Sequence, residues 1–153
     1  MSDDIIQLDE KFADEFVRSR MELFRELGEI TDETDAAGLE RETRRYYLEH
    51  INNDLISRGV LREGKLVCVG SLCLFSRLPY MKNMSGAEGY ILNIYTSPPF
   101  RGNGLAGAVL DSIIRFSREN NIGRLWLDSS EQGKSLYAGR GFSEKGNELE
   151  LFM

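Results

Sequence analysis

Arg101-Gly102-Asn103-Gly104-Leu105-Ala106 is the segment of this sequence best suited to chemistry, and that chemistry is the holding of an anion. A strand-like run, Tyr90–Thr96, stops at Ser97-Pro98-Pro99, and a helix-like run begins at Gly104. The first turn of a helix carries N–H groups without internal partners, and the macrodipole adds positive potential there. Gly102 and Gly104 have no side chain to keep an anion off the backbone, and glycine tolerates unusual dihedrals. Arg101 adds a fixed positive charge. The result is a diphosphate cradle built mostly from main chain. The competing reading is an ordinary glycine-rich turn. A Walker loop is ruled out because no Lys-Ser or Lys-Thr pair follows a second glycine. The dinucleotide fingerprint fails because its third glycine is missing.

The surrounding pattern says what must position this segment. Ile5–Leu8 reads as a short strand and Asp9 as an N-cap; Lys11–Leu27 has apolar residues at helical spacing, and Gly28 is a natural stop. Thr31–Asp35 is polar and reads as a loop, and Leu39–Ile51 as a second helix ended by Asn52-Asn53-Asp54. Gly59–Arg62 and Leu66–Phe75 are strands joined by the hairpin signal Glu63-Gly64-Lys65. Tyr90–Thr96 is a strand, Gly104–Asn120 a helix, Arg124–Asp128 a strand, Gln132–Arg140 a short helix and Glu148–Phe152 a last strand. This order predicts an α/β chain of the α+β type: a mixed sheet flanked by helices, with one parallel strand–helix–strand unit.

Bulk properties narrow the function. The 153 residues suit one domain spanning 1–153, and 41% hydrophobic with 29% charged residues is normal for a folded chain. A net charge of -6 argues against a nucleic-acid partner, which needs a basic face. No apolar run reaches membrane-spanning length, and the acidic start Met1-Ser2-Asp3-Asp4 is unlike a signal peptide, so cytoplasmic residence is the expectation. Cys68 and Cys73 fall at odd spacing in one strand and should face opposite sides as buried thiols; the lone His50 cannot build a metal site.

Taken as a whole, Arg101–Ala106 matches the R/Q-x-x-G-x-G/A motif of the GNAT superfamily of N-acetyltransferases. Ile94–Phe100 resembles the strand and proline turn before that motif. Ser130–Tyr137 followed by Gly139-Arg140-Gly141-Phe142 resembles the family's second signature, in which a tyrosine precedes a Gly-Phe pair. The resemblance covers Leu66–Met153; the N-terminal half matches in its order of elements. It implies a sheet with two central strands splayed into a V and acetyl-CoA wedged between them as co-substrate. Main chain at Ile94, Tyr95 and Thr96 would pair with the pantetheine arm, and amides from Gly102 through Asn103, Gly104, Leu105 and Ala106 to Gly107 would hold the pyrophosphate. No metal is implied. The acceptor would be a primary amine of a small molecule or peptide, and the family often dimerises, which makes a homodimer an expectation.

The same resemblance gives roles to side chains. Tyr137 takes the place of a general acid for the departing thiolate; otherwise it is an amphipathic helix residue beside Phe142. Ser130 stands where many relatives have an asparagine that touches pantetheine, and its plain alternative is a helix cap. Arg101 shapes the loop or meets phosphate. Glu88 sits where some members carry a glutamate base, with a loop charge as the alternative. Asn93 is suited to orienting an acceptor or water, and Asp128 is a second, weaker acid–base candidate. Tyr46, Tyr47, Tyr80 and Phe75 are candidates to line an acceptor pocket. Direct acetyl transfer in a ternary complex is the leading reading. A module of the same fold that binds acyl-CoA without turnover is the rival.

Overall fold

In the computed structural model, residues 4–153 are described, with backbone alone at residues 33 and 34. The opening residues Met1–Asp3 lie outside this range. β1 (Ile6–Gln7) leads to Asp9, whose carboxylate caps the next turn by accepting from the Lys11 N–H at 2.9 Å. Helix α1 (Ala13–Glu26) buries Ala13, Phe16, Val17 and Met21 and ends at Gly28, where φ is +75°. Helix α2 (Glu33–His50) follows, then β2 (Leu55–Arg62), β3 (Lys65–Ser76) and β4 (Ala87–Thr96). A 3-10 turn at Pro98–Phe100 precedes α3 (Leu105–Glu119), β5 (Arg124–Trp126) and α4 (Lys134–Ala138).

The strands form one sheet in the order β1-β2-β3-β4-β5, antiparallel up to β4, with β4 and β5 parallel. The β2–β3 hairpin closes at Glu63 and Gly64, which have φ of +53° and +77°, as a two-residue turn of that hand requires. One face of the sheet (Ile56, Val60, Cys68, Leu72, Ile91) packs on Leu105, Val109, Leu110 and Ile113 of α3. The helix lies close: a Cβ on Gly70 would stand 2.8 Å from a Val109 methyl. The other face (Leu55, Leu66, Val69, Tyr95) packs on Phe16 of α1 and Tyr47 of α2. The mixed sheet with helices on both faces agrees with the sequence expectation. So does the placement of the thiols, with Cys68 in the α3-side cluster and Cys73 against the other.

Three expectations need correction. Thr31–Asp35 is not all loop: α2 starts at Glu33, its first bond running from the Ala36 N–H to the Asp32 carbonyl, because acidic residues suit the first turn of a helix. The first strand of the hairpin begins at Leu55, four residues before Gly59, since Asn52 (φ +62°) turns the chain sharply and its N–H binds the Leu55 carbonyl. Among the described residues Glu148–Phe152 pairs with no strand of the sheet: Leu149, Leu151 and Phe152 stand exposed, and β5 remains an edge. Its alternating pattern suits a strand, but pattern alone supplies no partner. No helix among the described residues is long and apolar enough to cross a membrane.

Candidate active site

The anion cradle is built by backbone conformation. Gly102 and Gly104 adopt φ of +82° and +76°, the left-handed region that favours glycine. A Cβ at either would meet nothing within 4 Å, so conformation and not crowding calls for glycine here. α3 has no side-chain cap at its start. The Ala108 N–H donates to the Gly104 carbonyl at 3.1 Å; residues 102–107 make no such backbone bond among the described residues. Six consecutive amides, from Gly102 to Gly107, therefore lie at the positive end of a fifteen-residue helix. Leu105 is buried and anchors the turn to the core, as its side chain predicts.

The polar side chains of the loop turn away from these amides. Arg101 donates through Nε to the Thr96 carbonyl at 2.8 Å and forms a 2.6 Å ion pair with Glu26 of α1. Its guanidinium also lies over the Tyr95 ring, 5.6 Å from the centroid. Arg101 thus ties the loop to β4 and α1. Asn103 folds back to donate to the Phe100 and Arg101 carbonyls.

Beside the cradle the sheet opens. β4 and β5 pair only from Glu88↔Arg124 to Tyr90↔Trp126. From Ile91 to Thr96 β4 pairs with no strand on that side among the described residues, which leaves main chain at Ile94, Tyr95 and Thr96 along an open strand edge. β4 is also bulged against β3: Val69 faces Tyr95 and Ser71 faces Leu92, so Asn93 and Ile94 stand opposite Gly70 alone. Asn93 has φ of +59°, a conformation asparagine tolerates better than most side chains.

On α4, Tyr137 is half-buried beside Phe142 with ring centroids 5.9 Å apart. Burial pushes its phenol above the ordinary tyrosine value, so it stays protonated at neutral pH and available as a donor. It lines an open groove of about 1000 Å³ with Leu125, Trp126 and Leu127. The Ser130 hydroxyl accepts from the Gly133 N–H at 3.1 Å, the local turn-capping contact anticipated as its alternative.

The opposite face of β4 holds a second cavity, of about 350 Å³, between α1, α2 and the sheet. Phe16, Arg20, Tyr46, Cys73, Leu92 and Asn93 are among its walls. Of the aromatic candidates only Tyr46 lines it. Tyr47 is core and donates to the Asp9 carbonyl, Tyr80 binds Glu88, and Phe75 packs edge-on to Trp126. Burial raises the Tyr46 phenol to about 12 and lifts both thiols, so neither cysteine is an activated nucleophile.

Glu88 is buried inside β4, not a loop charge. The Tyr80 hydroxyl donates to it at 2.6 Å and Arg124 at 3.1 Å. Burial works to raise its pKa. The hydrogen bonds from Tyr80 and Arg124, with the charges of Arg124 and Arg77, outweigh burial and hold it below the ordinary value. A carboxylate so held is a weak base, and it does not line the Arg20 cavity. β5 stops at Trp126, short of the expected Asp128, and Asp128, two residues beyond it, accepts from the Tyr90 hydroxyl at 2.7 Å.

Sequence reasoning did not single out Arg20. Its signal was legible: it follows Phe16 by four residues, which places a charge in the apolar stripe of α1.

These features define an open mixed sheet that splits beside a glycine-built cradle of amides. The chain belongs to the acetyltransferase (GNAT) family, whose profile matches residues 14–142. Its structure is similar to that of a predicted acetyltransferase with acetyl-CoA from Clostridium acetobutylicum, at 28% identity, TM-score 0.88, over 99% of this chain and 96% of that one. It shares its fold with a GCN5-related N-acetyltransferase from Ralstonia eutropha JMP134, at 23% identity, TM-score 0.86, over 99% of both chains. A probable glucosamine 6-phosphate N-acetyltransferase of Oryza sativa subsp. japonica is 24% identical over 90 residues, which are 59% of this chain and 52% of that protein. The match thus spans about half the length of that curated relative.

Proposed function

We propose that the protein transfers an acetyl group from acetyl-CoA to a primary amine by direct attack in a ternary complex. The observation that carries this reading is the run of six amides, Gly102–Gly107, at the start of α3, next to a β4 edge that β5 leaves free. The amides take the pyrophosphate, and Ile94, Tyr95 and Thr96 offer strand-like hydrogen bonds to the amide-bearing pantetheine arm. Ser130, whose hydroxyl holds the Gly133 N–H at the start of α4, serves as an adjunct contact to the pantetheine arm. That arrangement brings the thioester to the bulge at Asn93, where main chain leaves the β3 ladder and can stabilise the thioester oxygen.

The step balances simply. The neutral amine nitrogen attacks the thioester carbon, a C–N bond forms and the C–S bond breaks. The nitrogen sheds a proton to water, and the Tyr137 hydroxyl gives its proton to the departing thiolate and is re-protonated from solvent. The products are the N-acetyl amine and free CoA thiol. Most of the acceleration comes from placing amine and thioester together. Glu88 serves as a tie between β4, β5 and the Tyr80 loop, and a water chain replaces it as base.

Thiol release from acetyl-CoA with a panel of amines tests the reading, with CoA binding followed by calorimetry. Amine-dependent release that Tyr137→Phe slows without altering CoA affinity is the expected result. CoA binding with no release on any amine would instead establish a non-catalytic acyl-CoA-binding module. We also propose a homodimer joined through the exposed tail, whose Leu149 and Leu151 are left bare while β5 remains an unpaired edge. Sedimentation of Leu149→Asp/Leu151→Asp against wild type reads this, and a wild-type monomer overturns it.

A further inference from the structure

Arg20 is the most unusual side chain outside the cradle. It lines the cavity between α1, α2 and β4, partly buried, its guanidinium 4.5 Å from the Phe24 ring centroid. Among the described residues its one hydrogen bond is to a neutral group, from Nη1 to the Asn93 Oδ1 at 3.1 Å. Among the described residues no carboxylate pairs with it. Glu29 is felt only at a distance, and Glu42, on the cavity wall, is taken by Arg45 at 2.8 Å. The contrast with its neighbour on the helix is direct, since Arg18 is held by both Glu15 and Glu22 at 2.7 Å. Burial pushes the Arg20 guanidinium below the ordinary arginine value, which marks a charge taken from water without full compensation. Asn93 adds to the imbalance. It is 6% exposed, and its Nδ2, shielded from solvent, finds no acceptor. A buried donor without a partner is rare enough to need a reason. Both polar groups at this corner of the cavity therefore have donors to spare.

We propose that the cavity receives the acceptor by an anionic group, so that the substrate class is a small amine bearing a carboxylate or a phosphate. This rests on the acetyl-transfer reading above and adds the acceptor's chemistry to it. The cavity's volume of about 350 Å³ stands at the small end of small-molecule sites, which suits a compact acceptor. Arg20 grips the anion through its planar fork. Asn93 orients that fork and lends its spare N–H once the anion is seated. Because Asn93 is also the bulge residue of β4, the anchored end of the acceptor lies beside the strand that carries the thioester. Tyr46 and Phe16 supply an apolar wall for the linking carbons.

The test uses three matched amines: β-alanine, phosphoethanolamine and propylamine. Thiol release from acetyl-CoA is followed for wild type, Arg20→Gln and Asn93→Asp, with CoA affinity and melting temperature measured for each. Wild type should favour one of the two anionic amines over propylamine by about tenfold or more in kcat/KM. The carboxylate and phosphate arms show which anion fits. Arg20→Gln should remove that preference, mainly through KM, with CoA affinity unchanged. Asn93→Asp guards against simple misfolding. It gives Arg20 an internal counter-charge in a position where aspartate tolerates the backbone, so it should hold or raise the melting temperature and still lose the anionic preference. Propylamine turned over as well as the anionic pair overturns the inference while leaving acetyl transfer intact. Equal losses on all three amines in both variants overturn it also, since that would make Arg20 a structural residue only. Arg20-dependent binding of an anionic amine without thiol release would keep the ligand class and sink the transfer reading.

Discussion

The two sides of β4 are built from different materials. On the α3 side the cradle is main chain: left-handed glycines at 102 and 104, an uncapped helix start and a strand edge left unpaired. On the α1–α2 side the cavity is side chain: Arg20, Tyr46, Phe16 and the amide of Asn93. Backbone recognition suits a ligand that never changes, because a diphosphate asks only for N–H groups in a fixed arc. Side-chain recognition can be altered one residue at a time, as an acceptor site that differs between relatives must allow. The same division explains why the first side is written in a motif and the second is not.

The strongest way to break the comparison is to spoil the main-chain side alone. Gly104→Tyr forces a bulky residue into φ of +76° at the mouth of the cradle, although no neighbouring atom obstructs a Cβ. CoA affinity should fall at least about 100-fold, near 2.7 kcal/mol, while the circular dichroism spectrum stays native. Gly104→Asn should lose much less, since asparagine visits that region. Equal losses would mean that side-chain bulk, not backbone shape, governs the cradle. Tyr137→Phe comes next. Its kcat should drop about 100-fold, the scale of a lost general acid, with CoA affinity unmoved. An unchanged kcat would leave Tyr137 as a packing residue beside Phe142.

What was legible in the sequence follows from the same physics. Glycine at positive φ and proline at a strand end are local demands, so Gly102, Gly104 and the Pro98 turn announced themselves. The order of elements was legible because apolar periodicity is local too. The V between β4 and β5 followed from the family resemblance. The Arg20 cavity was not readable, because it joins Arg20 to Asn93 across seventy-three positions. Nor was the state of Glu88, whose partners Tyr80 and Arg124 arrive from a loop and from the edge strand. The tail fails for another reason. Its alternation of Glu148, Leu149, Glu150 and Leu151 is that of a strand, and the missing ingredient is a neighbour, which no periodicity encodes.

Glu88 gives a test of the frame that carries both sides. With a pKa held below its ordinary 4.5, Glu88 stabilises the fold fully above that value, and the contribution fades as pH falls through the lower native value. Glu88→Gln leaves Arg124 facing a neutral group in a buried setting, and should cost about 3 kcal/mol at neutral pH by urea denaturation. The gap from wild type should narrow on acidification below 4.5 and not on alkalinisation. Because the carboxylate serves the frame and not the reaction, kcat in the folded variant should stay within about threefold, where loss of a base would remove far more. A collapse of kcat with stability intact would restore Glu88 as the base.

The smallest effect is expected where the cradle touches α1. Arg101 is tied to Glu26 and the Thr96 carbonyl, and both partners of the ion pair are more than two-fifths exposed. An exposed pair is worth within about 1 kcal/mol, so Arg101→Ala should barely move the melting temperature. Its effect on CoA affinity separates two ways of making a cradle. If the amides do the binding, affinity should fall by about fivefold or less, from a looser loop, and Glu26→Gln should reproduce part of that loss. If Arg101 leaves Glu26 to meet phosphate, Arg101→Ala should cost far more, and Glu26→Gln should strengthen CoA binding by freeing the guanidinium. The sign of the Glu26→Gln effect therefore decides whether the main-chain side of β4 borrows a side chain.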